Sequence, residues 1–80
     1  MTEFYAVIKD EQYKVQVALG ATIRRIREET TDFSQSKLAI EIGLSENQVG
    51  RIERGESNPT VKTLLRIAQA LKVDIKVLFE

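Results

Sequence analysis

Between residues 34 and 80 the chain alternates helix-starting and helix-stopping residues at helix-length intervals, and this punctuation constrains the fold more than any other feature. Ser34, Ser45, Thr60 and Asp74 each carry a side-chain oxygen that can accept from the free backbone N–H groups of a helix start. Gly43 stands where a left-handed residue is needed to end a helix, and Gly55 closes the next one. Ser45 with Gln48 three residues on fits a capping box, in which side chains and backbone satisfy each other's unpaired groups. The spacing predicts helices that begin after Ser34, Ser45 and Thr60, and a short fifth helix from Ile75 to Phe79.

The apolar residues between these signals recur with a helical period. Leu19, Ile23 and Ile26 share one face of a first helix that Thr30, Thr31 and Asp32 interrupt. Leu38, Ala39 and Ile42 form the inward face of the second, and Val49 and Ile52 the buried pair of the third. Val61, Leu64, Leu65, Ala68 and Leu71 form the inward stripe of the fourth. Residues 1 to 16 read differently. Phe4 to Ile8 and Tyr13 to Val17 are rich in strand formers around Lys9, Asp10, Glu11 and Gln12, which also admits a hairpin, or a long helix capped by Asp10. We expect an extended arm or short strand at 4 to 8 and a helix beginning between 11 and 18. The expected organisation is an extension over residues 1–16 and an all-α domain over 17–80.

Composition closes most catalytic routes. The 80 residues include no cysteine and no histidine, so disulfides, thiolate metal sites, the usual general base and the cysteine nucleophile are absent. Ser34, Ser36, Ser45 and Ser57 have no histidine to activate them, no carboxylate pair stands out, and neither an enzyme nor a cofactor is expected. Twelve basic and twelve acidic residues cancel, so no bulk field draws the chain to nucleic acid or to an anionic membrane, and any such partner must be met by a local patch. No signal peptide or spanning segment is evident. The expectation is a soluble, cytoplasmic protein of one domain, with no effector domain to receive a small molecule.

Two short helices turning at Gly43, with the small Ala39 before the turn and Val49 and Ile52 after it, meet the packing needs of a helix-turn-helix unit, here about residues 35–54. With them stand Ser34-Gln35, Ile52-Glu53-Arg54-Gly55, Asn58-Pro59-Thr60 and Ala70-Leu71-Lys72-Val73. At these separations the chain resembles the phage-repressor type of helix-turn-helix domain, the lambdoid Cro/repressor or XRE family, over about residues 18 to 79. The resemblance implies a five-helix, lambda-repressor-like DNA-binding domain whose third helix enters the major groove. It also implies a transcriptional regulator, by family habit a repressor, acting as a dimer on a pseudo-palindromic operator.

With Val49 and Ile52 inward, the third helix presents Glu46, Asn47, Gln48 and Arg51, whose chemistry suits base edges. Arg51 can pair with guanine, Asn47 or Gln48 with adenine, and Glu46 can accept from cytosine. The layout makes Gln35, Ser36, Ser45, Arg54, Asn58 and Lys62 candidates for the phosphate backbone, Gln35 at a family position for that contact. In relatives the arginine matching Arg27 pairs with the glutamate matching Glu53 beneath the reading helix. Gly50 inside the third helix admits two explanations, close approach to DNA or simple tolerance.

The chain departs from the pattern in the longer, glycine-free connection Thr30-Thr31-Asp32-Phe33, in Glu46, and in its first sixteen residues. Double-stranded DNA read by two copies is the expected partner, with half-sites about 34 Å apart. The C-terminal Ile75, Val77 and Phe79, with Phe4 to Ile8 joining them, are the expected homodimer surface. Alternatives are an antitoxin or restriction-modification controller of the same family, and a protein-interaction module that uses the fold without DNA.

Overall fold

A computed structural model describes residues 2–80, except for the side chains of Thr2 and Phe4. Four α-helices, α1 (Thr2–Thr30), α2 (Gln35–Ile42), α3 (Glu46–Glu53) and α4 (Val61–Leu71), are followed by a 3₁₀ helix over Ile75–Phe79. The expected caps form. Ser34 accepts from the Lys37 N–H, Ser45 and Gln48 complete a capping box, Thr60 accepts from Thr63 N–H, and Asp74 from Lys76 N–H. Gly43 adopts φ 73°, and the Leu44 N–H reaches back to the Ala39 carbonyl at 3.0 Å, which closes α2 and starts the turn.

The core is formed by Leu19, Ile23 and Ile26 of α1, Leu38, Ala39 and Ile42 of α2, Val49 and Ile52 of α3, and the inner face of α4, with Leu78 as the plug from the 3₁₀ segment. On α4 the expected stripe is corrected. Leu64, Ile67, Ala68 and Leu71 are buried, whereas Val61 and Leu65 are exposed, so the buried face is rotated toward Ile67. Both stripes satisfy a 3.6-residue period, and the packing of α4 against α2, the 3₁₀ segment and α1 selects between them.

The N-terminal expectation is also corrected. Residues 4–8 form neither an arm nor a strand, and Asp10 caps nothing, because α1 runs unbroken from Thr2 to Thr30. The boundary drawn at residue 16 falls inside this helix. Leu19, Ile23 and Ile26 anchor α1 in the core, and once a helix is nucleated each further residue adds a backbone bond at small cost. No glycine or proline interrupts residues 2–19. Two pairs at i,i+4 support the extension: Asp10–Lys14 at 3.2 Å and Gln12–Gln16 at 2.8 Å. At the other end the Thr30 and Thr31 hydroxyls donate to the Ile26 and Arg27 carbonyls, each at 2.7 Å, and Thr31 accepts from the Phe33 N–H. These local bonds end the helix in place of a glycine. The molecule measures 45 × 23 × 20 Å, the long axis being close to the length of α1 itself, about 1.5 Å per residue.

Helix α4 stops at Lys72, the one described non-glycine residue with positive φ, at 60°. A side chain in this region crowds its own carbonyl, which glycine avoids. Lys72→Gly should therefore stabilise the fold by about 0.5–1 kcal/mol, after the entropy lost by a freer unfolded chain. Thermal unfolding by circular dichroism checks this, and a lowered midpoint would contradict it.

Candidate nucleic-acid interface

Burial of Val49, Ile52 and Glu53 leaves Asn47, Arg51 and Arg54 in a line along the outer face of α3, with Glu46 and Gln48 at its flanks. All five are exposed. Arg51 has no ion-pair partner among the described residues, so its guanidinium fork is available to a ligand. Gln48 is less available than its residue type suggests. Its Oε1 accepts from the Ser45 N–H at 2.8 Å, while the Ser45 Oγ accepts from the Gln48 N–H at 3.1 Å. In this rotamer Gln48 offers only its NH₂ group outward, and a two-point pair with adenine falls to Asn47. Ser45 Oγ is likewise engaged in capping.

A groove beside α3 joins Gln48 and Arg51 to Ser57, Asn58 and Thr63 across the loop that leads into α4. Asn58 is thereby brought to the reading face, and Ser57 and Thr63, which no binding motif marks, join it. Ser36 is exposed on the first turn of α2, and Lys62 on the first turn of α4.

On the other flank Gln35, Gly50 and Arg54 converge. A Cβ at Gly50 would stand 3.0 Å from Arg54 Nη1 and 3.7 Å from Gln35 Oε1, so this glycine leaves room for the arginine head beside the start of α2. Room for the Arg54 head is thus a reason for Gly50 distinct from close approach to DNA and from simple tolerance. Arg54 is held at 2.6 Å by exposed Glu56. The hydrogen bond to Glu56 raises the Arg54 pKa, and the same bond lowers that of the Glu56 carboxyl, with burial opposing it. Because the carboxyl's pKa is depressed, the pair is complete at neutral pH and is lost as pH falls through that lowered value.

Beneath the reading helix lies a buried polar cluster. Arg27 donates from Nε to Glu53 Oε2 at 2.8 Å and from Nη2 to Oε1 at 2.9 Å, and its Nη1 reaches the Phe33 carbonyl at 3.1 Å. The side chains of Arg27 and Glu53 are only 9% and 1% exposed, so this is a desolvated two-point pair. The hydrogen bonds that Arg27 donates to Glu53 raise the Arg27 pKa, with burial opposing them. Gln35 Nε2 donates to Glu53 Oε1 at 2.8 Å. The three residues therefore tie the end of α1, the start of α2 and the end of α3 into one unit, a connection of Gln35 to Glu53 that residue spacing did not reveal. No described buried side-chain polar atom lacks a partner.

A short helix capped at its N-terminus, held at a fixed angle behind and polar in front, defines a helix-turn-helix domain of the kind found in DNA-binding transcriptional regulators. Residues 23–78 match the family described as Helix-turn-helix, and the chain belongs to that family. It is 44% identical over 55 residues to the HTH-type transcriptional regulator SutR of Escherichia coli (strain K12), a match covering 69% of this chain but 30% of that protein. It is 33% identical to the control protein C.BamHI of Bacillus amyloliquefaciens, over 82% of each chain. Among solved structures it is similar to the restriction-modification controller protein C.AhdI from Aeromonas hydrophila, at TM-score 0.79 and 34% identity, over 84% of this chain and 96% of that one. These relatives are named as regulators and controllers rather than as enzymes. The expected all-α helix-turn-helix fold is present, with a 3₁₀ turn in the place of the fifth α-helix. No described helix is long and apolar enough to cross a membrane.

Proposed function

We propose that this chain is a sequence-specific regulator of transcription that lays α3 in the DNA major groove, reads bases with Arg51 and Asn47, and acts as a homodimer on a pseudo-palindromic operator in the cytoplasm. The observation that carries this reading is the unpaired Arg51 on the exposed face of a helix whose rear is locked by the Arg27–Glu53 pair. Glu46 and the NH₂ of Gln48 supplement the base contacts. Gln35, Ser36, Asn58 and Lys62 flank the groove walls, where phosphates would run, with the capped start of α3 at Ser45 between them. Arg54 reaches a phosphate only by leaving Glu56.

Within this class the second reading is a restriction-modification controller, because the controllers named above match along most of their own length. Nearly the whole length of C.BamHI and C.AhdI, 82% and 96%, lies within what this chain matches, against 30% of SutR. Repression would then follow from occupancy of a promoter.

The test is binding to duplex DNA at several salt concentrations. The logarithm of affinity should fall with the logarithm of salt at about 0.9 per neutralised phosphate. Glu56→Gln, which releases Arg54, should tighten binding about three- to tenfold at low salt, the scale of one additional phosphate contact. Salt-independent association would instead fit an apolar protein-interaction role and would contradict the proposal.

A further inference from the structure

The face that α1 buries against the core does not end where the core ends. Leu19, Ile23 and Ile26 continue toward the N-terminus as Tyr5, Ile8, Gln12 and Val15, at steps of three and four residues, on the half of α1 that projects from the body. The family match begins only at residue 23. Along this half no other described element lies opposite. Tyr5, Ile8, Lys9, Gln12, Tyr13 and Gln16 line a shallow surface made entirely of α1 side chains, and Tyr5 is 66% exposed. The opposite side carries Asp10 and Lys14, paired at 3.2 Å, together with Val7 and Val17. Val7, Ile8, Val15, Val17 and two tyrosines are poor helix formers, and a free helix of this length is marginal in water. Such a segment needs a covering surface.

A second apolar surface lies where α1 enters the body: a groove between α1 and the 3₁₀ segment lined by Val15, Ala18, Leu19, Thr22, Leu78 and Phe79, with Phe79 56% exposed. Ile75 and Val77, expected at a dimer surface, instead pack partly buried against the core, which leaves Phe79 as the exposed member of that trio. The two surfaces lie at opposite ends of one stripe, a layout that a two-fold axis makes self-complementary.

We propose that two copies pair through antiparallel α1 helices, Tyr5 and Ile8 of each entering the Thr22–Phe79 groove of the other, with Gln12 near the axis. With Gln12 on the axis, Tyr5 faces the partner's Leu19, Ile8 the partner's Gln16 and Lys9 the partner's Val15, so no like charges meet. Covering Tyr5, Ile8, Tyr13, Val15 and Phe79 on both copies removes roughly 1,000–1,200 Å² from water, just enough for a specific dimer. A second copy also supplies the second reading helix, and in this the pairing deepens the dimeric function proposed above.

Sedimentation without DNA tests the pairing separately from DNA binding. The wild type should be dimeric at tens of micromolar. Ile8→Glu, at a half-exposed position, should raise the dimer dissociation constant by about 30-fold or more while the melting of the monomer body is kept. Because the chain has no cysteine, Tyr5→Cys with Thr22→Cys should give a covalent dimer on oxidation, and Asp10→Cys on the outer face should not. A wild-type monomer at about 100 µM would overturn the proposal and assign the face to a different protein. So would a dimer that survives Ile8→Glu, or cross-linking through Asp10→Cys alone. A dimer that dissociates with Ile8→Glu yet fails to bind DNA would support the pairing and contradict the functional reading instead.

Discussion

Replacing Gly20 with alanine should lower the thermal midpoint by roughly 10–20 °C, a loss of about 2–4 kcal/mol. In an ordinary helix interior the same change stabilises by about 1 kcal/mol. The sign reverses here because α1 and α3 touch backbone to backbone at this point. A Cβ on residue 20 would run into the Ile52 carbonyl oxygen and lie 2.7 Å from the Glu53 carbonyl oxygen. Neither atom belongs to a flexible side chain, so the helices must separate and the reading helix must tilt. Gly50→Ala is the internal control, since its nearest obstacle is the far end of Arg54 at 3.0 Å. It should leave the midpoint within about 1 kcal/mol of wild type by the helix preference for alanine. Equal midpoints for Gly20→Ala and wild type would contradict the close crossing.

The second large effect is expected at Glu53. Glu53→Ala removes both oxygens that hold Arg27 and the one that holds Gln35, and leaves a guanidinium in a site where it is 9% exposed. An uncompensated buried charge costs about 3–5 kcal/mol. Exposed Glu56, also paired to an arginine, should cost less than about 1 kcal/mol when replaced by alanine. Chemical denaturation of the two variants separates the cases, and equal stability would refute the buried pair. Removing both charges together, as Arg27→Met with Glu53→Leu, should recover most of the loss, because the penalty lies in the orphaned charge rather than in the missing attraction.

Local chemistry made much of this fold legible. Ser34, Ser45, Thr60 and Asp74 cap helices through side-chain oxygens that any sequence displays, and Gly43 turns because its neighbours need a left-handed residue between them. The Arg27–Glu53 pair followed from the family resemblance, and the structure contains it. What stayed hidden depends on three dimensions. Gly20 has ordinary helical φ, so nothing local marks it; only the passage of α3 behind it does. Ile67 and Leu65 are both apolar residues competing for the interior, and the elements packed against α4 decide. Residues 4–17 suggest a strand by residue type, yet their polar pairs at i,i+4 and their continuity with an anchored helix select α1. The capping role of Gln48 and its cost to base reading were both consequences of one motif, of which only the first was evident beforehand.

Arg51 is the residue on which the functional account rests, and site selection from random duplex DNA tests it most directly. Wild type should enrich a two-fold symmetric motif with half-site centres about ten base pairs apart. Arg51→Ala should enrich the same spacing but lose preference at one position per half-site, where discrimination falls by about 1–3 kcal/mol. No enriched motif with the wild type, or an identical motif from both proteins, would contradict the account.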